Sequence, residues 1–169
     1  MISLYTGLRI GEICALRWSD VDLENRIIHI RHTIARVKNP NPQDSSKTCL
    51  ILDKPKTKSS LRDIPITAKI FDLLSTAKLL AHSEYVISDQ KAFLSPRTYE
   101  YRFHKKLENL NMAQINYHVL RHTFATRCIE KGVDVKSLSE ILGHSNVSIT
   151  LNTYVHSSME LKRAQLEKL

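Results

Sequence analysis

The sequence predicts an α+β domain, mostly α-helical, with a small three-stranded antiparallel sheet in its N-terminal third. Two observations carry this. Runs of β-branched and apolar residues bounded by turn residues occupy 27–33, 48–52 and 61–66. From Thr67 onward, apolar residues recur at the three- and four-residue steps of a helix with one buried face. A length of 169 residues is enough for one domain with a real core, and residues 1–169 read as a single domain.

Met1 to Tyr5 reads as the end of a helix stopped by Gly7, a residue suited to a left-handed cap. Ile10, Ile13, Cys14 and Leu16 then predict a helix from about Leu8 to Leu16. Ser19-Asp20 opens a turn. Asp20, Asp22 and Glu24 alternate like a calcium loop, but the required glycine and distal glutamate are missing. The first strand is expected over Ile27 to Thr33, followed by a loop from Asn39 to Ser46. Thr48 to Leu52 and Leu61 to Ile66 predict two more strands. The polar link Pro55 to Ser60 predicts that these two form a hairpin with a basic tip. Ile70, Leu73, Leu74, Ala77 and Leu80 make one helical face, and a loop runs from about Ser83 to Leu94. Ser95-Pro96 is a cap followed by proline at the first helical position. Further helices are expected around Val119 to Ile129, ending at Gly132, over Val135 to Leu142, closed by Gly143, and over Val147 to Tyr154. The tail from Ser157 is expected to be helical.

Composition narrows the class. No stretch is long or apolar enough to span a membrane, and the N-terminus lacks the pattern of a secretory signal. Three widely spaced cysteines, Cys14, Cys49 and Cys128, fit reduced thiols in a cytoplasmic protein rather than a disulfide framework. A net charge of +8 favours a polyanionic partner, although a solvated basic surface has the same composition.

Certain polar residues stand out by type and spacing. Arg9 follows Thr6-Gly7-Leu8, and Glu12 lies three residues on, within reach of its guanidinium. An isolated Arg-x-x-Glu is most often a surface ion pair. His118 and Arg121 are one helical turn apart and face one way, an arrangement that can hydrogen-bond the free oxygens of a phosphate. His118 and His122 are also four apart, as zinc ligands can be, but no glutamate follows the first and no third ligand is evident. His122 reads as a packed residue. His144 follows Leu142-Gly143 at a helix end, and Tyr154 comes ten residues later. Taken singly, these are a cap and a half-buried aromatic. Lys56 and Lys58 occupy the expected hairpin tip, where lysine commonly only solubilises a turn.

Together the segments say more. Thr6 to Asp22, His118-Val119-Leu120-Arg121-His122-Thr123, and Leu142-Gly143-His144-Ser145 with Asn152-Thr153-Tyr154-Val155-His156 resemble, in order and spacing, the three signatures of the tyrosine recombinases, the phage-integrase family. Pro55 to Pro65 resembles the family's β-hairpin. The resemblance runs from Met1 to about His156 and implies the catalytic-domain fold of these DNA breaking-rejoining enzymes. It implies that Tyr154 is the nucleophile, that Arg9, Arg121, His118 and His144 hold the phosphate, and that Glu12 supports them. A lysine donates a proton to the leaving oxygen; Lys56 matches its position best, with Lys58 the alternative. Lys58, Arg62, Arg97, Arg102, Lys105 and Lys106 are expected to bind DNA. The implied reaction is site-specific recombination of double-stranded DNA through a 3′-phosphotyrosyl intermediate. It uses no metal, cofactor or small-molecule substrate, and protomers assemble on the DNA. The core-DNA-binding domain that family members carry upstream is not expected in these 169 residues. Two other readings stay open: type IB topoisomerase-like relaxation, and a catalytically silent DNA-binding remnant.

Overall fold

A left-handed glycine sets the direction of the first two helices. In the computed structural model, which describes residues 1–41, 46–54, 57–89, 92–154, 163, 166 and 167 and only the backbone of Lys58, α1 spans Ile2–Thr6 and ends at Gly7 with φ 66°. Glycine adopts this conformation without steric cost. The position is also crowded: a Cβ there would lie 2.6 Å from Phe124 Cδ1 and 2.8 Å from Leu142 Cδ2. The chain turns into α2, Ile10–Ala15, which buries Ile13, Cys14 and Ala15. After a 3₁₀ turn at Trp18–Asp20 come β1, Val21–Asp22, β2, Ile27–Ile30, and β3, Thr33–Lys38. The strands β4, Thr48–Asp53, and β5, Arg62–Pro65, follow, then α3, Ala68–Leu79.

The sheet differs from expectation in its pairing. A three-stranded antiparallel sheet is present, ordered β1-β2-β5, with Ile28 opposite Ile64 and Ile30 opposite Arg62. The strand expected over 27–33 is broken after Ile30, and a second strand, β3, carries the chain to Lys38. β3 pairs with β4 in a separate two-stranded ribbon, Thr33 opposite Asp53 through Lys38 opposite Thr48. The segments 48–52 and 61–66 therefore do not form a hairpin with each other. The reason lies in β3: Arg36 and Lys38 hide its alternation, yet Ile34 packs against α2, where a Cβ on Gly11 would meet the Ile34 carbonyl oxygen at 2.6 Å. β5 is an edge strand, which tolerates Pro65 at its end.

In α3, Ile70 and Leu74 are buried, whereas Leu80 lies past the helix end and is exposed, so the predicted face stops a turn early. Two short strands, β6 at Ser88–Asp89 and β7 at Ala92–Phe93, sit within the expected loop. α4, Pro96–Asn109, starts as predicted, with Ser95 Oγ accepting from the Thr98 N–H at 3.1 Å. α5 spans Val119–Glu130, α6 Val135–Leu142 and α7 Val147–Tyr154. The tail from Ser157 lies outside the described residues apart from 163, 166 and 167. Among the described residues no helix is long and apolar enough to cross a membrane.

Among the described residues two apolar cores result. The larger packs α1, α2 and α3 on the sheet through Leu8, Ile13, Leu16, Ile28, Ile64, Ile70 and Leu74. The smaller joins α5, α6 and α7 through Ala125, Leu138, Leu142 and Tyr154. Each buried Leu or Ile contributes about 1.5–3 kcal/mol. Among the described residues three charged side chains are buried as well: Glu12, Arg62 and Arg121.

Candidate active site

Arg9 is the N-cap of α2, in extended conformation, two residues after the Gly7 turn. Glu12 reaches back to it: one carboxylate oxygen accepts the Arg9 backbone N–H at 2.9 Å and the other accepts Arg9 Nη1 at 3.0 Å. Arg9 Nη2 donates in turn to the Gly143 carbonyl at 3.3 Å. Glu12 is buried and has a second arginine. Arg62 approaches in a fork, Nη1 to Oε1 at 2.8 Å and Nη2 to Oε2 at 2.9 Å. Burial pushes the Glu12 carboxyl up, but the hydrogen bonds and charge of Arg62, with Arg9, outweigh it and hold the group below the ordinary carboxylate range.

Arg62, expected to bind DNA, is buried in this geometry. It alternates with Ile64 on the buried face of β5, donates from Nε to the Ile141 carbonyl at 2.6 Å, and keeps its charge on Glu12. Gly143 makes room for it, since a Cβ there would lie 2.9 Å from Arg62 Nη1. The periodicity of two along β5 was the signal available in the sequence.

Arg121, on α5, is buried and bridges two helix ends. Nη1 donates to the Gly7 carbonyl at 2.7 Å and Nη2 to the Leu142 carbonyl at 2.8 Å. Both oxygens belong to C-terminal turns that have no helical partner and carry negative partial charge, which a guanidinium satisfies. Burial and the charge of Arg9 bring its pKa down to about 10, so it remains a cation at neutral pH.

His144 stands just past α6. Its Nε2 is 3.0 Å from Arg121 Nη2 and its Nδ1 is 2.8 Å from Thr150 Oγ1. Burial and the charges of Arg121, Arg9 and Arg62 lower its pKa to about 4, and the ring is neutral at neutral pH. His118, the N-cap of α5, is likewise pushed down, by burial first and then by His122, Arg121 and Arg9. The His118 ring meets His122 edge-on at 4.9 Å between centroids, and His122 lies 5.4 Å from the Tyr154 ring, so His122 is packed as expected. Tyr154 ends α7 with its ring largely buried. Burial raises its phenol pKa while Arg121 and Arg9 pull it down.

Arg9, His118, Arg121, His144 and Tyr154 line one open cleft of 420 Å³, with Thr57, Ser60, Gly143, Ser145 and Ile149 completing its wall. Five residues from four separate segments thus meet at one place. Lys56 lies outside the described residues, as does the side chain of Lys58. Arg97, Arg102, Lys105 and Lys106 do not join the cleft; they are exposed on α4, where Arg102 pairs with Asp89 at 3.2 Å and Lys105 lies over the Tyr101 ring. Sequence reasoning missed Thr150, which is fully buried one helical turn before Tyr154.

A tyrosine hydroxyl beside paired arginines and two neutral histidines has the parts for nucleophilic attack on a phosphodiester. Arginine neutralises the phosphoryl oxygens, and imidazole can exchange a proton. The chain belongs to the phage integrase family, whose model matches residues 1–160. It is 34% identical over 189 aligned residues to a tyrosine recombinase XerC-like protein of Caldanaerobacter subterraneus subsp. tengcongensis, covering 100% of this chain and 47% of that protein. It is 29% identical over 189 residues to the transposase from transposon Tn916 of Enterococcus faecalis, covering 100% of this chain and 44% of the other. Among solved structures, the Tn1549 transposon integrase in complex with transposon right end DNA superposes with a TM-score of 0.83 at 29% identity, covering 99% of this chain and 56% of that one. The chain spans about half the length of the curated relatives it matches.

Proposed function

We propose that residues 1–169 form the catalytic domain of a site-specific DNA recombinase that acts in the cytoplasm on double-stranded DNA, several protomers assembling on the site. The observation that carries this reading is the cleft that gathers Arg9, His118, Arg121, His144 and Tyr154. The Tn1549 integrase, similar over the whole of this chain, was solved with DNA.

In this mechanism Arg9 and Arg121 clamp the two non-bridging oxygens of the scissile phosphate. Tyr154 Oη attacks phosphorus, and its proton passes to a neutral histidine of the cleft, His118 being the candidate. The bond from phosphorus to the 5′-oxygen breaks, and Lys56 protonates that oxygen. The charge that builds on the phosphoryl oxygens meets cations held in place in advance, where such stabilisation is largest. The 3′-phosphotyrosyl bond conserves the energy of the diester, so attack by a second strand rejoins the DNA without ATP.

The test is covalent trapping on a nicked duplex carrying the recombination site, in excess chelator. The wild-type chain is expected to give a denaturant-resistant protein–DNA band. Tyr154→Phe, which keeps the ring packed on His122, is expected to bind DNA and give none. An adduct formed by the Phe variant, or one that requires added metal, rejects the mechanism.

A further inference from the structure

We propose that Thr150 is a positioning residue for this reaction: its hydroxyl fixes the proton of His144 on Nδ1 and so leaves the Nε2 lone pair on the cleft side, against Arg121. The proposal rests on the recombinase reading above, and it follows from the donors and acceptors around one ring. A guanidinium only donates, so at 3.0 Å from Arg121 Nη2 the Nε2 atom accepts. A neutral imidazole with an accepting Nε2 carries its hydrogen on Nδ1. That hydrogen points at Thr150 Oγ1, 2.8 Å away, which accepts it. The opposite tautomer would set an Nε2–H against the N–H of Arg121.

The surroundings leave the ring little alternative. Gly143 closes α6 in the left-handed conformation, and the His144 backbone N–H donates to the Ser139 carbonyl at 3.1 Å, so the residue is fixed at its main chain. The side chain is then held at both nitrogens. Thr150 is fully buried and sits four residues before Tyr154, on the same face of α7. The same hydrogen bond therefore ties the nucleophile's helix to the phosphate-binding arginine through one imidazole.

A hydroxyl partner has a further property. A phosphate entering the cleft competes for Arg121 Nη2 and frees Nε2. If Nε2 then takes a proton, it becomes a donor toward the phosphate, while the bond from Nδ1–H to Oγ1 stays as it was. The ring gains charge without turning. The charges that bear most on it are cations, Arg121 from α5, Arg9 from the start of α2 and Arg62 from β5, with His118 beside them, while Asp63 of β5 and Glu140 of α6 line the pocket on its other side. An incoming phosphate on the cleft side reverses the balance the arginines set.

The test reads the ring directly. With the full chain labelled with ¹⁵N-histidine, and His144→Gln used to identify the signal, DNA-free wild-type protein at neutral pH is expected to show Nδ1 protonated and Nε2 bare. Thr150→Ser is expected to keep that pattern and to form the Tyr154 adduct within about threefold of the wild-type rate, whereas Thr150→Val loses the pattern and slows adduct formation by about tenfold or more. A proton on Nε2 in the wild type overturns the proposal. So does a Thr150→Val chain that cleaves at the wild-type rate, whatever its tautomer. If the Val variant does not fold, the wild-type tautomer and the Ser variant still decide. A wild-type chain that forms no adduct at all rejects the recombinase reading instead, and the ring nitrogens remain the measure of what Thr150 does.

Discussion

Arg62 and Glu12, fifty residues apart in sequence, meet as a buried fork with both hydrogen bonds under 3 Å, at 2.8 and 2.9 Å. Glu12 thereby serves Arg9 from one side and Arg62 from the other, and the first arginine of the cleft is oriented by a residue that does not line it.

Glu12→Gln is expected to destabilise the domain by about 3–5 kcal/mol, because it leaves Arg62 buried without a counter-charge. Thermal unfolding should show a loss of roughly 10 °C. The sign with pH follows from the depressed carboxyl: its contribution is present above the ordinary carboxylate range and is lost as pH falls through its lower native value. The Gln variant should lack that part of the acid limb. A Gln variant with the wild-type melting temperature would mean that the fork holds nothing together.

The neutral histidines make a separate claim on stability. His144 titrates at about 4 in the folded chain against 6.5 in the unfolded one, and His118 is shifted in the same direction. Stability from His144 is therefore complete above about pH 6.5 and falls toward pH 4, as the unfolded chain takes up a proton that the native site refuses. Melting curves between about pH 7.5 and 4.5 should slope down with acid, and His144→Gln should flatten the slope. A slope unchanged in that variant rejects the assignment.

The proton donor is tested by its leaving group. Replacing the bridging 5′-oxygen with sulfur makes a leaving group that needs no proton. Lys56→Ala is expected to cleave ordinary DNA very slowly and to recover most of its rate on the sulfur substrate. Arg9→Ala, which leaves the buried carbonyls of Gly7 and Leu142 capped by Arg121, should stay slow on both. Rescue of Lys58→Ala instead would move the donor by two residues.

Exposed cations on α4 carry a prediction about salt. Arg97, Lys105 and Lys106 stand away from the cleft, so replacing all three with Gln is expected to weaken DNA binding and to reduce the salt slope by about 0.9 for each phosphate no longer neutralised. Titrations of the Tyr154→Phe chain at several salt concentrations measure this. A slope that does not change places the footprint elsewhere.

The helices after Thr67 were legible because their signals are local: Ser95-Pro96, the closing Gly143 and the apolar steps of α5 and α6 name their own ends. The five cleft residues were legible through motif order rather than through periodicity. What escaped was set by long-range geometry. The pairing of β4 with β3 depends on a strand in which the buried Ile34 shares its face with the exposed Arg36 and Lys38. The role of Arg62 depends on which face of β5 meets Glu12, and that of Thr150 on how α7 returns beside α6.

Arg121 grips the carbonyls of Gly7 and Leu142 as well as lining the cleft. It is therefore the wrong place to make an inert control protein. Truncating it would orphan two buried oxygens, each costing about 1–3 kcal/mol, and would loosen the seam between the two cores, so lost cleavage and lost folding would arrive together. A silent version for binding or assembly work is better made at the phenol of Tyr154, where one oxygen is removed and the scaffold is left as it stands.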